Sequence, residues 1–140
     1  MTLLVDTSVW SLAFRRDAPP DVPEVAALGR ALSGQEDVLI LGVILLELLR
    51  GFPHASAGQA FVDQLAWVPL LEPTRGDYEA AADLSNTCRR AGVRLATIDA
   101  LIARMAIAHD VTLLTTDRDF VHAARHIPLR LWGRASELSS

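Results

Sequence analysis

Short apolar segments recur along the chain at intervals that suit the buried strands of a sheet. Each has three or four residues and is followed by polar or turn-forming residues. A further apolar run at 68–71 is a weaker candidate, because Pro69 cannot donate a hydrogen bond to a neighbouring strand. The four stronger candidates are residues 3–5, 38–41, 111–114 and 129–132.

Between these segments, apolar residues return every three or four positions, which predicts helices. The clearest helix is one that we expect Thr97 to cap, with apolar residues at i, i+3, i+4 and i+7 from Ile98. Residues 15–23 hold three prolines and charges of both signs, and predict a surface loop. Because strands alternate with helices, the pattern predicts an α/β protein with a parallel sheet covered on both faces. The other predicted helices span residues 9–14, 25–32, 43–50, 57–66, 77–91 and 120–125.

The composition fits one folded domain that spans residues 1–140. Apolar residues make up 51% of the 140 residues, which is enough to form a hydrophobic core and excludes a wholly disordered chain. The longest apolar run, 38–49, is interrupted by Glu47 and is too short to span a bilayer. No export signal is evident, and a single cysteine, Cys88, cannot form an internal disulfide. These features favour the reducing cytoplasm.

Four acidic residues occupy positions that folding alone does not explain. Asp6 and Asp117 follow predicted strands, and ligands of parallel sheets bind beyond the carboxyl ends, where the strand order reverses. Glu47 lies inside an apolar run, and Asp99 lies in the first turn of a helix beside its apolar face. If strands 3–5 and 111–114 are neighbours, all four acids meet at one end of the sheet.

Each acid also has a purely structural interpretation. Asp6 would cap a helix, and Asp99 would be favoured by the helix dipole. Glu47 would face water or pair with Arg50, and Asp117 would form a turn. Taken together, however, clustered carboxylates repel one another, and a hard divalent cation relieves that repulsion. Oxygen ligands suit Mg²⁺ or Mn²⁺, and none of the four histidines has convincing zinc spacing.

Four short segments that contain these acids resemble, in order and spacing, the acidic motifs of PIN-domain ribonucleases. More narrowly, they resemble those of the VapC toxins of bacterial toxin–antitoxin pairs. The resemblance covers nearly the whole chain. The segments are 5–8 (VDTS), 47–51 (ELLRG), 98–103 (IDALIA) and 114–120 (LTTDRDF).

The resemblance implies a three-layer α/β/α sandwich whose central sheet has four to five mainly parallel strands. It also implies Mg²⁺-dependent cleavage of RNA, with transfer or ribosomal RNA as the substrate and Mn²⁺ as a substitute ion. A VapB-type antitoxin is the implied inhibitor, and a homodimer the implied assembly. Metal-activated water would attack the phosphate in line, leaving a 5′-phosphate and a 3′-hydroxyl.

Carried over residue by residue, the resemblance assigns the catalytic and metal-binding roles to a small set of side chains. Asp119 is a fifth acid that would act through water. The hydroxyls of Thr7, Ser8 and Thr116 would hydrogen-bond the carboxylates. The four acids placed around the metal are Asp6, Glu47, Asp99 and Asp117.

The charge balance is unusual for a protein that binds nucleic acid. Thirteen basic residues, all arginine, stand against seventeen acids, for a net charge of −4. Without the five site acids, 17 − 5 = 12 acids remain, and the rest of the chain carries +1. Local arginines then suffice to bind RNA. We expect Arg15, Arg16, Arg50 and Arg118 to do so, and expect Arg89, Arg90 and Arg94 to form an ordinary exposed face.

Several other functions remain to be weighed. A haloacid-dehalogenase-type phosphatase needs a second aspartate where this chain has Ser8, and a receiver domain needs a lysine that the chain lacks. A metal-dependent nuclease acting on DNA would use the same acids, although its additional helices seldom fit in 140 residues. A non-catalytic RNA- or protein-binding module would have no physical reason to keep repulsive carboxylates.

Overall fold

A computed structural model describes residues 1–15 and 17–133. Four parallel strands form one sheet in the order β3-β2-β1-β4. The predicted α/β fold with a parallel sheet of four to five strands is confirmed. The strands are β1 (Thr2–Val5), β2 (Asp37–Leu41), β3 (Leu70–Leu71) and β4 (Thr112–Leu114).

Helices connect the strands in the alternating pattern that the sequence predicts. A short segment, Ala31–Gln35, continues from the second helix and is kinked at Gly34, whose φ is +98°. Among the described residues, no helix has the length and apolar character needed to cross a bilayer. The helices are α1 (Thr7–Phe14), α2 (Pro23–Arg30), α3 (Gly42–Arg50), α4 (Ala55–Gln64), α5 (Arg75–Arg90), α6 (Thr97–Ala108) and α7 (Arg118–Ala123).

The strand order reverses at the centre of the sheet. From β1 the chain moves outward to β2 and β3, and it then returns to place β4 on the other side of β1. Val5 is paired with Leu114, so the carboxyl ends of β1 and β4 lie side by side. The neighbouring strands on which the acidic site depends are therefore confirmed, and the loops after them face a common crevice.

Trp10 anchors the turn that follows β1. Its side chain is fully buried and packs against the rings of Phe14 and Phe61, with centroid separations of 5.8 and 6.0 Å. The indole Nε1–H donates a 3.1 Å hydrogen bond to the carbonyl oxygen of Val5, the residue before Asp6. The core is thus tied to the backbone of the site.

Two local predictions are wrong. Residues 129–132 form no strand, because only Leu131 makes an isolated bridge, to Leu113. Thr97 is the first residue of α6 rather than its cap, which is Ala96, and no side chain caps this helix. The predicted strand at 68–71 is reduced to the two residues of β3, consistent with the proline that precedes them.

Helices α5 and α6 form an antiparallel hairpin that is fixed at both ends. At one end, Arg104 Nε lies 3.1 Å from Asp77 Oδ1. The hydrogen bond from the backbone N–H of Thr74, and after it the pair with Arg104, lower the pKa of Asp77. At the other end, Ser85 Oγ donates to the carbonyl of Leu95 over 3.4 Å. Thr74 and Asp77 also form a capping box at the start of α5, which the sequence analysis missed.

Candidate active site

Asp6 is a buried carboxylate held by two hydroxyl groups. It follows β1 directly, is 5% exposed, and its backbone N–H donates to the carbonyl of Leu114 over 2.9 Å. Its Oδ2 accepts hydrogen bonds of 2.8 Å from both Ser8 Oγ and Thr115 Oγ1. Burial raises the pKa of Asp6, and the hydrogen bonds oppose that rise. Asp6 is the N-cap residue of α1, as the helix-cap interpretation has it, but its side chain makes no capping hydrogen bond, so capping does not account for the carboxylate.

The second hydroxyl at Asp6 belongs to Thr115, not to Thr116 as predicted. The pairing of Val5 with Leu114 places Asp6 level with the next residue of the other strand, which is Thr115. Thr116 is exposed and contributes its backbone N–H, which donates to Ser8 Oγ over 3.2 Å. The expected role of Ser8 agrees with the geometry, and that of Thr116 does not.

Asp117 and Asp119 lie at the start of α7, beyond the end of β4. The backbone N–H of Asp117 donates to Thr115 Oγ1 over 3.0 Å, and Asp117 Oδ1 accepts from the N–H of Asp119 over 2.9 Å. Asp117 therefore caps α7, which agrees with its structural interpretation as a turn residue. It nevertheless also belongs to the acidic cluster. One carboxylate oxygen each of Asp99, Asp117 and Asp119 lies within 4.8 Å of the others.

Burial and the charges of the other four acids oppose the ionisation of Asp99. It is the third residue of α6 and is partly buried. Burial raises its pKa from 3.8 to about 7, with further contributions from the negative charges of Asp6, Asp117, Asp119 and Glu47. The charges of four other acids thus act on Asp99, and two of these acids, Asp117 and Asp119, form a tight group with it.

Glu47 reaches the cluster from α3. Its Oε1 accepts a 3.1 Å hydrogen bond from Thr7 Oγ1, at the start of α1, so the predicted contact of Thr7 with a carboxylate is present. The alternative pairing with Arg50 is absent from the salt bridges of the described residues. Asp6 and Glu47 lie outside the tight group formed by the other three acids.

Of the four arginines that were predicted to bind RNA, the structure brings Arg15 and Arg50 together in one groove. Arg15 and Arg50 line one groove of about 300 Å³ together with Thr7, Glu47 and Gly51. Gly51 leaves room there for the Arg15 guanidinium, whose flexible end would have to shift if a Cβ were added at this position. Arg118 is exposed beside Asp117, and Arg16 lies outside the described residues.

The donor set of the site suits a hard cation. In residues 1–15 and 17–133, no arginine forms a salt bridge with any of the five acids, so the described part of the chain leaves their charge unneutralised. The tight group consists of carboxylates alone, without histidine or cysteine. Such oxygen ligands fit Mg²⁺ or Mn²⁺ better than Zn²⁺.

Comparisons with known proteins agree with this fold. The family model of the PIN domain matches residues 3–126. Ribonuclease VapC11 from Mycobacterium tuberculosis is 31% identical over 127 residues, covering 88% of this chain and 92% of the relative. The chain therefore belongs to the VapC ribonucleases of the PIN-domain family.

Two solved structures share the fold at lower identity. FitAcB from Neisseria gonorrhoeae has a TM-score of 0.73 and 22% identity, covering 94% of this chain and 96% of that one. VapBC2 from Rickettsia felis, solved bound to a DNA fragment from its promoter, has a TM-score of 0.70 and 20% identity, covering 94% and 97%. Both establish the similarity of the backbone fold.

Proposed function

We propose that the chain acts as one domain, residues 1–140, and is an Mg²⁺-dependent endoribonuclease toxin of a toxin–antitoxin pair. The observation that carries the proposal is that five acids converge while no arginine of residues 1–15 and 17–133 forms a salt bridge with any of them. Burial, together with the charges of the other four acids, raises the pKa of Asp99 to about 7. A structural cluster would be expected to have neutralising partners, because like charges held together destabilise the fold.

Asp99, Asp117 and Asp119 would hold the cation, and Asp6 and Glu47 would complete its surroundings. A bound Mg²⁺ would supply a more acidic water and neutralise charge on the reacting phosphate. Mn²⁺ has the same preference for oxygen ligands and would substitute for it.

The remaining polar groups of the site orient these carboxylates. Ser8 and Thr115 both donate hydrogen bonds to the same carboxylate oxygen of Asp6, Oδ2. Neither hydroxyl donates to the other oxygen, Oδ1. Thr7 holds Glu47 in the same way across forty residues of sequence. Preorganised carboxylates need no rearrangement during the reaction, which is the main electrostatic advantage of an enzyme site over water.

RNA would enter beside Arg15 and Arg50. Their groove contains Glu47, so a phosphate bound by either guanidinium lies next to the acidic cluster. Arg118 would add a contact at the start of α7, and Arg16, next to Arg15 in sequence, is a further candidate. The RNA target would be a transfer or ribosomal RNA in the bacterial cytoplasm, and mapping cleavage sites across both classes would identify it.

An antitoxin would inhibit the enzyme by covering the acidic groove. A VapB-type partner would place an Arg or Lys among the carboxylates, where the described residues provide no cation of their own. The similarity to VapBC2 supports such a partner, and the family resemblance supports a homodimer that carries it.

The direct test is cleavage of total bacterial RNA under four conditions. We expect cleavage by the wild type with Mg²⁺, and loss of about 100-fold or more with EDTA or with Asp6→Asn. Asp83→Asn, the same change at an exposed position of α5, is the matched control and should cleave normally. Equal cleavage in all conditions would reveal a contaminating nuclease and leave the proposal without support.

The same assay separates the alternatives. A DNA oligonucleotide of the same sequence as a cleaved RNA would be cut by a DNA nuclease and spared by a ribonuclease. Binding of RNA with no cleavage at any Mg²⁺ or Mn²⁺ concentration would indicate a non-catalytic module instead.

A further inference from the structure

The turn between α5 and α6 concentrates positive charge. Residues 84–98 contain three arginines and no acidic residue, in a chain whose net charge is −4. Arg89 and Arg90 end α5, and Arg94 follows the turn. Within the described part of the chain none of the three forms a salt bridge, and Arg89 bonds only the neutral side chain of Asn86. These guanidinium groups remain available to an anionic partner.

Two of these arginines flank a concave surface rather than a flat helix face. Gly92 adopts a φ of +82°, which only glycine accepts readily, and this turns the chain back after α5. The resulting groove, which we call the arginine groove, has a volume of about 500 Å³. It is lined by Ser85, Arg89, Gly92, Val93, Arg94 and Leu95.

The arginine groove lies at the same end of the helix hairpin as the acidic cluster. The bond from Ser85 to the carbonyl of Leu95 closes this end, whereas Arg104 and Asp77 close the other. Asp99 is only five residues beyond Arg94, so their Cα atoms are at most about 18 Å apart. That distance corresponds to a few nucleotides of a single strand.

We propose that the arginine groove binds backbone phosphates of the RNA strand whose cleaved bond lies at the acidic cluster. This inference rests on the proposed function and specifies where the substrate binds. Five clustered carboxylates repel a polyanion, so affinity must come from cationic surfaces beside them. Arginine is suited to this role because its guanidinium donates two parallel hydrogen bonds to a phosphate. An acidic segment of a protein partner is the competing occupant, and the experiment below separates the two.

The test measures salt-dependent binding of RNA by a chain that cannot cleave it. Asp6→Asn is the background, and the probe is a fluorescein-labelled oligouridylate of fifteen nucleotides in EDTA. Each phosphate contact contributes about 0.7 to the slope of log K against log salt for a single strand. We expect Arg89→Ala and Arg94→Ala each to lower the slope by about 0.7, and the double variant by about 1.4. Lysine at both positions should largely restore the slope.

Arg75→Ala is the matched control. Arg75 begins the same helix, about 22 Å from its other end, and its side chain is 96% exposed beside Glu79. This variant loses the same charge and should keep the wild-type slope. Thermal melting confirms that each variant is folded, which is expected because the replaced side chains are exposed.

The outcomes separate this inference from the proposed function. Equal slopes for Arg75→Ala, Arg89→Ala and Arg94→Ala would overturn the arginine groove as an RNA site, even if the wild type cleaves RNA. An unchanged slope combined with weaker capture of a polyglutamate peptide would overturn it in favour of an acidic protein partner. A lowered slope with no cleavage by the wild type would support the groove while refuting the nuclease. In the cleaving enzyme, the double variant should raise KM and leave kcat unchanged.

Discussion

Replacing Asp99 by asparagine should stabilise the metal-free protein at neutral and alkaline pH. The rise of the Asp99 pKa from 3.8 to about 7 corresponds to about 4 kcal/mol of unfavourable ionisation in the folded state. Burial of the carboxylate is the largest contribution and repulsion by the neighbouring acids adds to it, and partial exposure to solvent reduces the cost to about 1–2 kcal/mol. Losing the interaction of the carboxylate with the α6 dipole costs about 0.5 kcal/mol, so the net stabilisation is about 0.5–1.5 kcal/mol.

The stabilisation should depend on pH in a defined direction. Because the pKa of Asp99 is higher in the folded protein than in the unfolded chain, the folded protein retains the proton as pH rises above 4. Stability of the wild type therefore falls between about pH 4 and about pH 7, the window set by the two pKa values. The asparagine variant lacks this decline. Near pH 4 the two proteins should be nearly equally stable.

Thermal melting in EDTA at pH 4, 6 and 8 measures the difference. At about 3 °C per kcal/mol for a chain of this size, Asp99→Asn should melt about 2–5 °C above the wild type at pH 8. Asp83→Asn, at an exposed site on α5, should show no such gain. Mg²⁺ should then stabilise the wild type more than Asp99→Asn. A loss of stability at pH 8 in Asp99→Asn would refute the electrostatic reasoning and favour a purely structural role for Asp99.

Four further outcomes follow from contacts in the structure. Thr115→Ala removes a hydrogen bond to the buried carboxylate of Asp6 and should reduce RNA cleavage about 10–100-fold, whereas Thr116→Ala should cleave normally in the same assay. Thr74→Ala breaks the capping box of α5 and should lower the free energy of unfolding in urea by about 1 kcal/mol, without altering cleavage. Trp10→Phe removes the indole hydrogen bond to the carbonyl of Val5 and part of a fully buried side chain, and should cost about 2–3 kcal/mol in the same measurement. Mg²⁺ affinity by calorimetry should weaken as pH falls from 8 to 6, because the ion must displace the proton of Asp99.

The sequence was sufficient to predict the fold class because strand and helix periodicities alternate clearly along it. It also predicted that Asp6 and Asp117 follow the ends of two strands, where ligand-binding residues of parallel sheets lie. Whether those strands are neighbours was left as a condition, which the pairing of β1 with β4 fulfils. Which threonine reaches Asp6 depends on the register between β1 and β4, and register cannot be read from either strand alone. Thr115 was missed for this reason.

Surface chemistry was harder to predict than the core. Arg89 and Arg94 have the spacing of an ordinary exposed helix end, and only the positive φ of Gly92 folds them around a concavity. The capping box at Thr74 was visible as a Thr and an Asp three positions apart, but α5 was predicted to begin at the Asp. Residues 129–132 have the composition of a strand yet contribute one bridge, because tertiary packing decides whether a short apolar run joins a sheet.

The placement of β1 between β2 and β4 has a consequence for the order in which the acidic cluster is assembled on the ribosome. Asp6 is translated before the segment that brings Thr115 and Asp117 beside it, and more than a hundred residues separate the two. While those intervening residues are being synthesised, the buried carboxylate of Asp6 lacks its neighbours from the end of β4. The cluster can therefore close only after β4 has been translated and has paired with β1.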